Sequence, residues 1–145
     1  MKSKNITTTI FVDQTPVEVF NAINNVRNWW PGEIEGETAK LHAEFSYNLP
    51  EKHYSKQRIS EFIIGKKIVW KVLESNLGFI QNKSEWQGTD IIFEIASKGD
   101  KTKLHFTHRG LSPLAECYQA CLKGWTTLIN DNLNALIATG DSQKP

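Results

Sequence analysis

The chain predicts an α+β fold: a curved antiparallel β-sheet of about seven strands around one long C-terminal α-helix, with a short helical segment after the first strand. Residues 103–109, Lys-Leu-His-Phe-Thr-His-Arg, alternate as a strand and turn at Gly110 into an amphipathic stretch that runs to about Gly140. A helix of about 25 residues is roughly 37 Å long, close to the diameter of a domain this size, so it must cross a whole sheet. Between the two helical segments the chain is a run of short β-rich pieces punctuated by Gly, Pro and Asn.

Taken in order, residues 6–12 are rich in β-branched side chains and read as a strand. Thr15-Pro16-Val17-Glu18 is a capping box with Pro at the first helical position. Val19, Phe20, Ile23 and Val26 follow at helical spacing, and the helix should end at Asn24-Asn25 or just past Val26. Trp29-Trp30-Pro31-Gly32 closes the segment, because a residue before Pro avoids the helical region. Strands are expected at 33–37, 43–48, 54–63, 67–74, 84–93 or beyond, and 101–109. Alternation sets Ile68, Trp70 and Val72 against Lys71, and Ile91, Phe93 and Ile95 against Glu94. It likewise sets Leu104, Phe106 and His108 against Lys103, His105, Thr107 and Arg109. One face is apolar and the other polar, as in a sheet covered by helix on a single side.

For the last helix, Ser112 is the expected N-cap, with Pro113 at the first position and Glu116 in the first turn. Leu114, Cys117, Cys121, Trp125, Leu128, Ile129, Asn132, Leu136 and Ile137 form one stripe, and Gly140 is the expected stop. A single domain over 1–140 is expected, followed by a disordered tail at 141–145.

Seventeen basic and sixteen acidic residues are interspersed from end to end, which argues against nucleic acid and anionic membrane as partners. The first residues lack a signal-peptide core and no apolar stretch is long enough to span a bilayer, so a cytoplasmic location is expected. Two cysteines four apart on a helix face are badly oriented to bridge, and fit reduced thiols acting as small hydrophobes. The four histidines lack metal-ligand spacing, and no nucleophile elbow, phosphate loop or dinucleotide fingerprint occurs, so neither metal nor cofactor is expected.

Three segments point to a family. With Phe11-Val-Asp-Gln-Thr-Pro-Val-Glu-Val-Phe20, Asn25-Val-Arg-Asn-Trp-Trp30 and Gly124-Trp125, the chain resembles the START-like helix-grip (SRPBCC) superfamily. Within it, the chain is similar to the bacterial family that resembles the C-terminal domain of the activator of Hsp90 ATPase. The resemblance spans residues 5–140. It implies a cavity between sheet and long helix, which relatives use for lipids, plant hormones and polyketides. Of the Hsp90 activator it covers only the C-terminal half.

On this reading Trp70, Phe93, Phe106, His108, Cys121 and Trp125 line the cavity, and Arg27, Trp29 and Trp30 form its rim or a partner surface. His108 is either a ligand or proton contact at the cavity mouth or a histidine satisfied by its neighbours. His42 and His53 fall in predicted turns, and His105 faces water. The leading expectation is a non-catalytic protein that binds a small apolar or amphipathic molecule. The second is a co-chaperone-like interaction module, which an exposed patch at Trp29, Trp30 or Trp86, or a sealed core, would favour. The third is a cyclase-type enzyme, for which His108 lacks an evident acid–base partner.

Overall fold

The computed structural model describes residues 6–30, 32–49, 53–77, 86–110 and 118–139. Strand β1 (Ile6–Val12) leads into α1 (Pro16–Asn24) and a 3-10 turn (Val26–Asn28). Then come β2 (Glu33–Gly36), β3 (Glu44–Leu49), β4 (His53–Ile63), β5 (Lys67–Leu77), β6 (Asp90–Lys98) and β7 (Lys101–Arg109). The strands form one seven-stranded sheet in the order β1-β7-β6-β5-β4-β3-β2. Every neighbouring pair is antiparallel. The α+β helix-grip architecture is therefore as expected.

Local chemistry explains α1. Thr15 Oγ1 accepts from Glu18 N at 3.2 Å and the Glu18 carboxylate accepts from Thr15 N at 2.9 Å, which completes the capping box. Val19, Phe20, Ile23 and Val26 are all buried beneath it. At the other end, Thr38 Oγ1 donates to Asn24 O at 2.8 Å, and so satisfies a carbonyl that the helix leaves free.

Strand faces follow the alternation in the sequence. Ile68, Trp70, Ile91, Phe93, Leu104, Phe106 and His108 each show no exposed area and face the helix side. Charge collects on the other face, where Asp90 meets both Lys71 and Arg109, and Glu44 meets both Lys56 and Arg58. Gly110 ends β7 at φ +106°, a conformation that favours glycine.

Three expectations need correction. Strand β6 begins at Asp90, because Trp86–Gly88 form a turn in which Gly88 has φ +84° and Thr89 N bonds Trp86 O. His53 opens strand β4 instead of lying in a turn. The last helix is also not uniformly α: α2 (Tyr118–Thr126) passes into a π-helical stretch (Thr127–Leu133) and then α3 (Asn134–Thr139). The wider π turn brings Ile129, Asn132 and Leu133 inward together. Asn132 Nδ2 donates to Trp29 O at 3.1 Å, which explains a polar residue on an apolar stripe. Ser84, Ser112, Pro113, Leu114, Glu116, Cys117, Gly140, Pro31 and the tail at 141–145 lie outside the described residues.

Asn132→Leu tests this geometry. A uniform apolar stripe would gain from the change, whereas the structure loses the partner of a buried carbonyl. Urea unfolding should therefore show a loss of about 1–3 kcal/mol.

Candidate functional site

The gap between sheet and helix is an aromatic one. All five tryptophans are buried, at 5% exposure or less. Trp70 lies 4.9 Å from Phe93, Phe93 5.4 Å from Phe106, and Phe106 4.5 Å from Trp125. Trp86 stacks on Trp125 at 5.7 Å, and Cys121 Sγ accepts from Trp86 Nε1 at 3.3 Å. The six residues expected to line a cavity thus belong to one connected cluster.

Trp29 and Trp30 join this cluster from inside, and their expected role on a partner surface is corrected. The 3-10 turn folds both under α1, with Trp29 Nε1 donating to Ile23 O at 3.1 Å, and leaves them 0% and 1% exposed. Trp30 contacts Trp125 at 5.6 Å, Trp70 at 6.0 Å and Tyr47 at 4.4 Å. Trp86 is likewise buried instead of displayed. Arg27 stays exposed and donates to Gly36 O at 3.0 Å, tying the 3-10 turn to β2.

His108 sits where β7, the Trp86 turn and the last helix meet. Trp125 Nε1 donates to its Nδ1 at 2.9 Å, and an indole N–H can only donate, so Nδ1 carries no proton. The ring proton is assigned to Nε2, which lies 2.8 Å from Thr89 Oγ1. The Thr89 hydroxyl in turn donates to Trp86 O. Both ring nitrogens are therefore engaged within the protein, and protonation would set two donors against each other. Burial, with a smaller contribution from nearby His53, pushes the His108 pKa down to about 3. Such a group neither gives nor takes a proton near neutral pH. Of the two readings of His108, this geometry supports the histidine satisfied by its neighbours.

A second polar group lies on β4. His53, Ser55 and Gln57 share the inward face with Ile59, and Ser55, Gln57 and Ile59 show no exposed area. Gln57 Nε2 donates to Ser55 Oγ, which is also 3.1 Å from His53 Nε2. The His53 ring lies between Tyr47 at 5.1 Å and Trp86 at 4.5 Å. Burial lowers the His53 pKa to about 4 and raises that of Tyr47 to about 12, so both are neutral at physiological pH. Reading β4 with period two from Ile59 would have exposed this row, but it is short and polar and gives no hydrophobic signal.

Among the described residues, no group of three or more His, Cys, Asp or Glu side chains could hold a metal. An open depression of about 370 Å3 lies on the solvent side of the last helix, at Asn130, Asp131, Asn134, Ala135 and Ala138. It contains none of the aromatic cluster. His105, on the outer face as expected, pairs with Thr9 Oγ1 at 2.8 Å, and His42 is in a turn.

Acid should weaken the fold through His108. Its folded pKa lies below the unfolded value of about 6.5, so its stabilisation is complete above that pH and is lost as pH falls toward about 3. Between pH 7 and pH 5 the His108 contribution should fall by about 2 kcal/mol. In His108→Gln, which keeps a donor and an acceptor, urea melts should show a decline smaller by that amount. Cys121 is 6% exposed. In a Cys117→Ser protein a water-soluble thiol reagent should label native Cys121 far more slowly than unfolded Cys121, and equal rates would place the thiol at the surface.

No family model matches the chain, and no curated protein matches it. Solved structures do. The Aha1 dimer from Colwellia psychrerythraea is similar with a TM-score of 0.75 at 19% identity, over 94% of this chain and 97% of that one. DynU16, from the dynemicin biosynthetic locus, has a TM-score of 0.72 at 11% identity over 99% of this chain, which spans 51% of DynU16. CalU16 from Micromonospora echinospora has a TM-score of 0.67 at 15% identity, over 94% of this chain and 77% of that one. At these identities the likeness establishes architecture, and this chain shares with Aha1 the fold in which a curved antiparallel sheet grips a long C-terminal helix.

Proposed function

We propose that this protein binds a small, uncharged, amphipathic molecule between its sheet and its last helix, without catalysis. One observation carries the reading. The polar side chains His53, Ser55, Gln57, Thr89 and His108 lie on the inner side of the sheet against Trp86, Trp125 and Tyr47. A core that only stabilised the fold would have little use for such a group, because each buried polar atom must find a partner. Trp70, Phe93, Phe106, His108, Cys121 and Trp125 form the wall of the proposed site, with Trp29 and Trp30 packed against its rings.

The buried polar residues among those described include no Asp, Glu, Lys or Arg. A carboxylate or ammonium ligand would there lose its hydration without an ionic partner, which favours a neutral one. The interaction-module reading finds no displayed tryptophan at Trp29, Trp30 or Trp86, which are all buried, and keeps as its support the closely packed core that they help to form. The enzyme reading depended on His108, whose ring nitrogens are both occupied. No described helix is long and apolar enough to cross a membrane. Cytoplasmic residence belongs to the same proposal and rests on the sequence, whose first residues carry no signal-peptide core.

Neutral aromatic probes should alter tryptophan emission on binding, with micromolar affinity. Trp86→Phe should remove most of that response, since Trp86 is the indole that contacts both His53 and His108. Trp125→Phe is the poorer control because it would strand His108 Nδ1. If no probe binds more tightly than millimolar, the carrier reading fails.

A further inference from the structure

Resting on that reading, we infer that Gln57 and Trp70 recognise the ligand's hydroxyl group, so that the natural ligand is a neutral alcohol or phenol. Gln57 Oε1 and Trp70 Nε1 are buried side-chain atoms without a hydrogen-bond partner among the described residues, and both residues are 0% exposed. Such an atom has lost its hydration without compensation, and so needs a reason.

The two orphan atoms are complementary. Gln57 donates through Nε2 to Ser55 and leaves its carbonyl oxygen as a free acceptor. The indole of Trp70 is a free donor. Strand register places them as near neighbours on the inward face: Gln57 pairs with Val72 and Ile59 pairs with Trp70, one inward step apart. A hydroxyl group both donates and accepts. It therefore satisfies the Gln57 carbonyl and the Trp70 N–H together, which neither a carboxylate nor an ether can do. The row His53, Ser55, Gln57 also runs from a half-buried residue to a fully buried one, so its outer end reaches solvent while its inner end holds the free acceptor. Phe45, opposite Gln57 and 5.0 Å from Trp70, supplies an apolar surface beside the pair for the rest of the molecule.

The test compares 2-naphthol with its methyl ether by calorimetry at pH 7, on wild type, Gln57→Leu and Gln57→Met. Wild type should bind the naphthol at least fivefold more tightly than the ether, and both variants should bind the two probes equally. The variants remove an unpartnered acceptor together with the Gln57 Nε2 bond to Ser55 Oγ, which keeps His53 as a partner, so their urea midpoints should lie close to that of wild type. Equal affinity of wild type for the two probes, or preference for the ether, would overturn the inference and leave small-molecule binding standing. Failure of wild type to bind either probe would remove the carrier reading and this inference with it. Variants much less stable than wild type would mark Gln57 as a residue the fold itself requires, and would also overturn it.

Discussion

The bond from the Trp125 indole to His108 Nδ1 fixes more of this molecule than any other contact described. It ties the last helix to β7, and by occupying Nδ1 it forces the ring proton onto Nε2, which then holds Thr89. Thr89 in turn holds the carbonyl of Trp86, so the turn that carries the second central indole depends on the same histidine. One rung outward, Asp90 and Arg109 repeat the link on the solvent face as an ion pair at 2.8 Å. The same pair of strand ends is thus clamped from both sides, by neutral hydrogen bonds within and by charge without. That division follows from solvation: an ion pair costs little where water reaches it and several kcal/mol per ion where it does not.

The aromatic cluster and the polar row express two different constraints. Five buried indoles fill a wide gap with few side chains, since each carries about 150–250 Å2 of surface. Filling alone would be served as well by leucine and phenylalanine. The row on β4 instead places donors and acceptors where the fold does not use all of them, and the orphan carbonyl of Gln57 marks where internal bonding runs out. Positions that weaken a fold locally without evident structural gain are where function is expected.

Most of the architecture was legible in the sequence because it rests on period and punctuation. The capping box at Thr15, the alternation of β7 and the turn at Gly110 each give a local signal, and each appears in place. The candidate site was half legible. Trp70, Phe93, Phe106, His108, Cys121 and Trp125 fall on inward faces by alternation or helical stripe, and they do meet. Trp29, Trp30 and Trp86 could not be placed, because the first two follow a 3-10 turn and the third opens a β-turn, where neither period applies and tertiary burial decides. The π-helical stretch was equally hidden. A helix that widens by one residue keeps an apolar stripe in sequence while changing which atoms reach the interior, and Asn132 is the visible trace.

The pairing of β1 with β7 bears on how the chain is made. Ile6 lies opposite His108 and Val12 opposite Thr102, whereas every other strand pairs with one adjacent in sequence. At ribosomal speeds of about 5–20 residues per second, β1 waits roughly 5–20 s for its partner to emerge. Through that interval a β-branched segment and the apolar underside of α1 stand open to water and to other nascent chains. The threonines at positions 7, 8 and 9 keep much of that waiting strand polar. In the finished sheet the same threonines lie on an edge strand, so one polar run serves both the waiting segment and the completed edge.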